Sequence, residues 1–273
     1  MPRRQQTSNI ETVLRQAGLD FCESRDLLVH VLRKPLSFLI AYPDTILTPV
    51  QLQKFRGLVV KRRHGVPFAY LTGHQGFYGL DFMVTKDVLI PRPETEQLID
   101  WVLAHTDRKA PSIIIDVGTG SGCIAVTLAK YLPTAKIIAS DVSEKALEVA
   151  RKNTRTHKVS TRIQFRHGSL LSVLKPNELP DLVVANLPYL AKPQLKNVPH
   201  EPKLALHGGT RGLELVEKIV AQVAERNIPK AILEIDPAQE RWLTGIGDRL
   251  TGYHYEFLSD LAGRTRFFVL KNR

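Results

Sequence analysis

The 273-residue chain contains only two cysteines, Cys22 and Cys123. Two thiols cannot build a disulfide framework or a four-thiolate zinc site, so the chain reads as a protein of a reducing, cytoplasmic compartment. No stretch approaches the roughly 18 apolar residues of a membrane helix. The N-terminal run from Met1 to Asn9 carries charge with no apolar segment behind it, which does not fit a signal peptide. The nine histidines show no metal-ligand spacing with a carboxylate or cysteine, and no metal site is expected. A Gly-x-Ser-x-Gly elbow is also missing, and Cys123 is expected to pack within its helix and not to act as a nucleophile. Glycine and proline, 17 of each, are at ordinary levels and exclude collagenous or low-complexity chains.

Charge is the unusual quantity. Lys and Arg number 38 against 27 Asp and Glu, a formal +11. Residues 1–80 hold 11 Lys or Arg and 5 Asp or Glu, so over half of the excess lies in under a third of the chain. That asymmetry suits a front region facing an anionic partner, such as nucleic acid or a ribosome-associated protein; a basic face that only confers solubility is the other reading. The Lys61-Arg62-Arg63 run reads as a solvated helix end.

Apolar spacing predicts several short helices over residues 9–63, with Ser8 or Asn9 as the first cap and Pro35, Pro43 and Pro49 as breaks. From Val66 to Pro91, glycines alternate with aromatic residues, which suggests a strand or hairpin linker. Beyond residue 110 strands and helices alternate. Strands are expected at Ser112–Val117, Lys136–Ser140, Arg162–Arg166, Asp181–Ala185 and Lys230–Ile235. Helices are expected at Ser121–Tyr131, Glu144–His157 (capped by Ser143), Thr210–Glu225 and Pro237–Leu250. A closing hairpin, Tyr253–Leu258 with Thr265–Leu270, completes a mostly parallel sheet covered on both faces. The domains expected are 1–65 (helical), 66–92 (hairpin linker) and 93–273 (Rossmann-like α/β).

The segment Asp116-Val117-Gly118-Thr119-Gly120-Ser121-Gly122 ends a buried strand and opens a helix. Glycines there allow a tight turn and let a ligand reach main-chain N–H groups at the helix mouth. A dinucleotide fingerprint would need its third glycine at Cys123, so NAD is disfavoured, and the Lys-Ser/Thr of a phosphate-binding P-loop is missing. The loop suits an adenosine ligand without a pyrophosphate. Asp141, about 20 residues further on at a strand end, is placed to accept both ribose hydroxyls; capping the next helix is its alternative role. Asp116 suits either the turn itself or a cationic sulfonium and ammonium nearby. Asn186-Leu187-Pro188-Tyr189 follows the strand Asp181–Ala185, where open α/β sheets bind ligands. An Asn oxygen and a neighbouring main-chain carbonyl can accept both protons of a planar –NH2, with the Tyr ring on its face. Catalysis would then be mostly positioning of a weakly nucleophilic nitrogen. A plain turn after a strand is the alternative.

These motifs resemble class I S-adenosylmethionine-dependent methyltransferases that act on amino or amide nitrogen. Ile90-Pro91-Arg92-Pro93-Glu94-Thr95, Gly65-x-Pro67-x-x-Tyr70-Leu71-x-Gly73 and Glu201-Pro202-x-Leu204-Ala205 with Gly208-Gly209-x-x-Gly212-Leu213 resemble, more narrowly, the HemK/PrmC-type release factor glutamine methyltransferases. Leu233-Glu234-Ile235 and Asp260-Leu261-Ala262-Gly263-Arg264 agree in order and spacing, so the resemblance runs from about residue 10 to the C-terminus. It implies a seven-stranded methyltransferase sheet with an antiparallel C-terminal strand and a helical substrate-docking N-terminal domain. The implied activity is methyl transfer from S-adenosyl-L-methionine to the glutamine side-chain amide in the Gly-Gly-Gln loop of peptide-chain release factors. Asn186, Pro188 and Tyr189 would be catalytic. Asp116, Gly118, Thr119, Gly120, Ser121, Gly122, Asp141, Ser169, Leu170 and Asn186 would hold the cofactor, and Arg92, Pro93, Glu94 and Asn186 to Tyr189 the substrate. Two positions depart from the family: Leu187 stands where a proline is usual, and Ser169 where an acidic residue is usual. Asn-Leu-Pro-Tyr also resembles adenine-N6 methyltransferases of rRNA or DNA, the alternative activity, which would need a flipped base. A catalytically inactive binding module is the third reading, and the intact glycine loop, Asp141 and Asn186 argue against it.

Overall fold

The computed structural model describes residues 8–273; the signal-peptide reading falls mainly on residues 1–7, outside the described residues. Two compact units divide between Gly73 and His74.

Among the described residues of the first unit, caps and prolines cut the chain into five helices: α1 (Ile10–Gln16), α2 (Phe21–Leu32), α3 (Leu36–Ala41), α4 (Pro49–Arg63) and α5 (Phe68–Thr72). Asn9 is the first cap, its Oδ1 accepting from Thr12 N at 2.9 Å. Thr48 and Gln51 form a capping box ahead of Pro49, which stands at the first turn where its missing N–H costs nothing. Ile10, Val13, Leu27, Leu28, Phe55 and Val59 bury a core of the unit's own. The basic helix end is solvated at Lys61 and Arg63 as expected, but two of its side chains also have partners. Arg62 Nη2 pairs with Glu23 Oε1 at 2.5 Å, and Arg63 Nη2 donates to Ala17 O at 2.6 Å. Two of the three cations therefore tie α4 to the rest of this unit. Helix α5 lies in the stretch read as strand or hairpin; only the four residues on each side of Tyr78-Gly79 form one.

That hairpin opens the second unit: β1 (His74–Phe77) and β2 (Leu80–Met83) run antiparallel around Tyr78 (φ +50) and Gly79 (φ +71). Both turn residues adopt the left-handed region that a two-residue hairpin requires. A short 3₁₀ turn, Pro93–Thr95, leads into α6 (Glu96–His105), a helix absent from the sequence reading. Tyr78 fastens the hairpin to α6, its N donating to Glu96 Oε1 at 2.8 Å and its hydroxyl to Asp100 Oδ1 at 2.7 Å.

Seven strands follow: β3 (Ser112–Val117), β4 (Ala135–Asp141), β5 (Ile163–His167), β6 (Leu182–Asn186), β7 (Lys230–Glu234), β8 (Tyr253–Ser259) and β9 (Thr265–Asn272). They form one sheet in the order β5-β4-β3-β6-β7-β9-β8, with β9 antiparallel to both of its neighbours and the rest parallel. The intervening helices are α7 (Cys123–Tyr131), α8 (Glu144–Thr156), α9 (Glu214–Glu225) and α10 (Glu240–Gly247). Alternate strand residues feed two cores, as the pleat demands. Ile114, Ala139 and Val184 pack with α6 and α7 on one face. Ile115, Val183 and Leu233 pack with α9 and α10 on the other. Helices α7 and α9 start two and four residues later than expected, because the glycines before them are used in turns. Pro237–Gln239 forms a 3₁₀ turn of its own before α10. Among the described residues, no helix is long and apolar enough to cross a membrane.

Candidate active site

The parallel strands deliver their C-terminal ends to one edge of the sheet, and a cavity of about 580 Å³ opens there. Its floor is the loop between β3 and α7. Gly118, Gly120 and Gly122 have φ of +74, +55 and +80, conformations that side chains resist. A Cβ on Gly122 would stand 3.0 Å from Ala150 Cβ in α8, so glycine also permits that close packing. Gly118 N and Thr119 N donate to Ser140 O, closing the turn onto β4.

Asp116 does not line the cavity. It lies wholly buried beneath the loop, where Oδ2 accepts from Thr119 Oγ1 at 2.6 Å and from Ala125 N at 3.2 Å. Its Oδ1 has no hydrogen-bond partner among the described residues. Burial pushes its carboxyl up to about 7, against the pull of Thr119 and Ala125. Asp141, at the end of β4, does line the cavity. Its two oxygens accept from Gly120 N at 3.0 Å and Ser143 N at 2.8 Å, and burial raises its carboxyl. The cap of α8 is Ser143, accepting from Ala146 N at 3.2 Å, so Asp141 braces the glycine loop. Ser169 and Leu170 line the wall after β5, Leu170 with φ +49.

The opposite wall is Asn186-Leu187-Pro188 at the end of β6. Asn186 Nδ2 donates to Thr95 Oγ1 at 3.1 Å, and Thr95 Oγ1 donates to Glu234 Oε2 at 2.6 Å. Leu187 is buried, its Cδ2 3.2 Å from where a Gly118 Cβ would stand. Tyr189 lies beside the cavity and not on its lining; burial and the nearby Glu234 charge hold its hydroxyl well above the usual range. Arg92 lines the cavity and pairs with buried Glu201 at 2.5 Å, whereas Pro93 and Glu94 lie off it. Cys123 is half-buried on the cavity lining, and desolvation pushes its thiol up to about 12, which disfavours the thiolate.

Behind Pro188 and Tyr189 runs a second glycine segment. A Cβ on Gly208 would fall 2.3 Å from Pro188 O, and one on Gly212 (φ +78) 2.2 Å from Tyr189 O. Main chain therefore backs main chain, and Gly208 N donates to Leu190 O at 3.0 Å. The sequence reading placed no role on Thr95, Glu234 or these glycines beyond their motifs. Their signal is a contact over 139 residues, Thr95 to Glu234, which no local pattern carries. Among the described residues, no three His, Cys, Asp or Glu side chains cluster to hold a metal.

Residues 114–209 match the family described as methyltransferase domain, and residues 7–73 the one described as PrmC N-terminal domain. The N-terminal domain of human METTL16 in complex with SAH shares the fold, with a TM-score of 0.51 at 18% identity over 89% of this chain and 92% of that one. Strand order and glycine loop together define a class I methyltransferase. The release factor glutamine methyltransferase of Koribacter versatilis (strain Ellin345) is 40% identical over 208 residues, 74% of each chain. That of Moorella thermoacetica (strain ATCC 39073 / JCM 9320) is 38% identical over 242 residues, 86% of this chain and 85% of its own. The chain belongs to the release factor glutamine methyltransferase family.

Proposed function

We propose that the protein transfers a methyl group from S-adenosyl-L-methionine to the side-chain amide nitrogen of the glutamine in the Gly-Gly-Gln motif of peptide-chain release factors. The observation that carries this reading is that Asn186, Leu187 and Pro188 share one cavity with the glycine loop and Asp141. The cavity fits the donor. Three glycines keep alternate positions of the loop free of Cβ atoms, Asp141 stands at a strand end with lone pairs left over, and Asp116 Oδ1 is an unmatched buried acceptor under the floor. Gly118, Thr119, Gly120, Ser121 and Gly122 would hold the amino-acid and adenosine portions, Asp141 the ribose, and Ser169 and Leu170 the adenine. When bound, S-adenosylmethionine supplies a methyl group activated by its sulfonium.

The chain's own residues do the positioning. Asn186 Oδ1 and the Leu187 main-chain carbonyl accept the two protons of the substrate –NH2. Tyr189 packs by its face, and Pro188 stiffens the turn between them. Held this way, the nitrogen lone pair is aimed and needs no covalent intermediate. Arg92 borders the substrate side, and Pro93 and Glu94, off the lining, would act by holding the turn that carries it. Residues 1–65 are proposed as the docking domain for the release factor, 66–92 as the linker and 93–273 as the catalytic domain. The basic charge of the first 80 residues is the observation that would favour RNA.

Labelled S-adenosylmethionine offered to a release factor and to rRNA side by side tests the reading. Label on the Gly-Gly-Gln glutamine is expected. Label on rRNA adenine with none on the factor would make the adenine alternative correct.

A further inference from the structure

Asn186 is one end of a hydrogen-bond chain that runs away from the cavity. Asn186 on β6 and Glu234 on β7 are register partners, and Thr95, from the turn before α6, bridges their side chains at 3.1 and 2.6 Å. Thr95 is 2% exposed and Glu234 0%, so water does not compete for these bonds. A hydroxyl has one proton to donate, and an ionised carboxylate can only accept. Thr95 therefore donates to Glu234, and its oxygen lone pair takes a donor from Asn186. Only the –NH2 end of a carboxamide is a donor. The oxygen end is left for the cavity.

We propose that Thr95 and Glu234 are positioning residues that set the polarity of the Asn186 amide, presenting Oδ1 to the substrate –NH2 and excluding the flipped amide. Flipped, Asn186 would oppose the substrate donor to donor. This inference rests on the reading of Asn186 as acceptor of the substrate amide protons. Protonating Glu234 on Oε2, the oxygen that faces Thr95, lets the chain run the other way: the acid donates to Thr95, Thr95 donates to Asn186 Oδ1, and the –NH2 end faces the cavity. The titratable and charged groups around Glu234 are Arg92 and Glu94 at the turn, Arg266 on β9, Tyr189 on the clamp and Cys123 at the start of α7. Burial foremost raises the Glu234 carboxyl to about 7, the Thr95 hydrogen bond opposing it most, with Glu94 adding to the rise and Arg266 and Arg92 countering it.

Thr95→Val keeps the shape and removes the hydroxyl. Its kcat should fall about 10- to 100-fold, the scale of losing an oriented polar group at a reacting centre. The KM for the release factor and the Kd for S-adenosylhomocysteine should stay within about threefold. Thr95→Ser should restore kcat to within about threefold. The parent and Thr95→Ser should lose activity as pH falls through about 7, and Glu234→Gln should lack that limb, which separates it from Asp116. Independently of turnover, the side-chain amide protons of Asn186 should lose their hydrogen-bonded NMR shift in Thr95→Val. Asn186→Ala is measured alongside. If Asn186→Ala lowers kcat while Thr95→Val does not, or if Thr95→Ser falls as far as Thr95→Val, the relay is wrong and the acceptor stands. An unchanged kcat in Asn186→Ala removes both. Should Thr95→Val fail to bind S-adenosylhomocysteine, Glu234→Gln decides: an acid limb equal to the parent's overturns the relay.

Discussion

Asp141 engages each carboxylate oxygen with one main-chain N–H, from Gly120 and from Ser143. Each oxygen has two lone pairs, so one on each remains for a hydroxyl, and bracing the loop does not compete with ribose binding. Asp141→Ala should weaken S-adenosylhomocysteine by about 1.5–3 kcal/mol, the scale of lost charge-assisted hydrogen bonds. Calorimetry showing an unchanged Kd would remove Asp141 from the ribose. Asn186→Ala should lower kcat by about 10²–10³ while leaving cofactor affinity nearly intact, since the glycine loop and Asp141 lie across the cavity. Rapid-quench kinetics with saturating cofactor reads this directly. At this scale the sequence located the turns at Gly118–Gly122 and Asn186–Pro188, which the fold brings to one cavity, whereas Tyr189 stands off its lining. The sequence was silent where the partner lies far along the chain. Asp116 shows both sides: the turn role was legible, and its placement beneath the cavity floor was not.

Strands were legible because apolar runs such as Ile113-Ile114-Ile115 leave no other buried element of that length. Their ends moved by one or two residues. Helix starts moved further, since glycines at 118–122 and 208–212 belong to turns shaped by what they pack against. Helix α6 escaped notice because its caps are weak and its partner, the Tyr78 turn, lies 18 residues before Glu96. The second glycine turn yields a sharp expectation. Gly212→Ala places a Cβ against Tyr189 O and forces a left-handed residue, about 1–2 kcal/mol before any clash. It should lower kcat at least tenfold with cofactor affinity within threefold. Gly245→Ala, whose Cβ meets nothing within 4 Å, should match the parent enzyme in the same assay. Leu187→Pro restores the usual family residue on a turn already backed by Gly208 and Gly212. Its kcat should stay within about threefold, and denaturant titration should show a loss of about 1 kcal/mol from the buried methyls that are removed.

Asp116 and Glu234 are buried, each with one oxygen that has no partner among the described residues, and both are raised to about 7. The folded chain then holds protons that the unfolded chain has released, so stability falls as pH rises from about 4 through 7. Differential scanning calorimetry of the ligand-free protein should show Tm dropping between pH 5 and pH 8. Asp116→Asn, which can still accept from Thr119 and Ala125, should gain on the parent as pH rises, by an amount on the order of a few kcal/mol. A parallel pair of Tm curves would refute that assignment. The nearness of Leu187 to Gly118, where an added Cβ would stand 3.2 Å from Leu187 Cδ2, has a consequence of another kind. It leaves no room for a side chain between the glycine-loop floor and the Asn186–Pro188 wall, so the two half-sites adjoin without a spacer. Thermodynamic reciprocity then requires that whatever factor one ligand's arrival applies to the affinity of the second, the second returns to the first. A substitution at that one seam would alter a heterotropic coupling energy, a property that belongs to neither binding step.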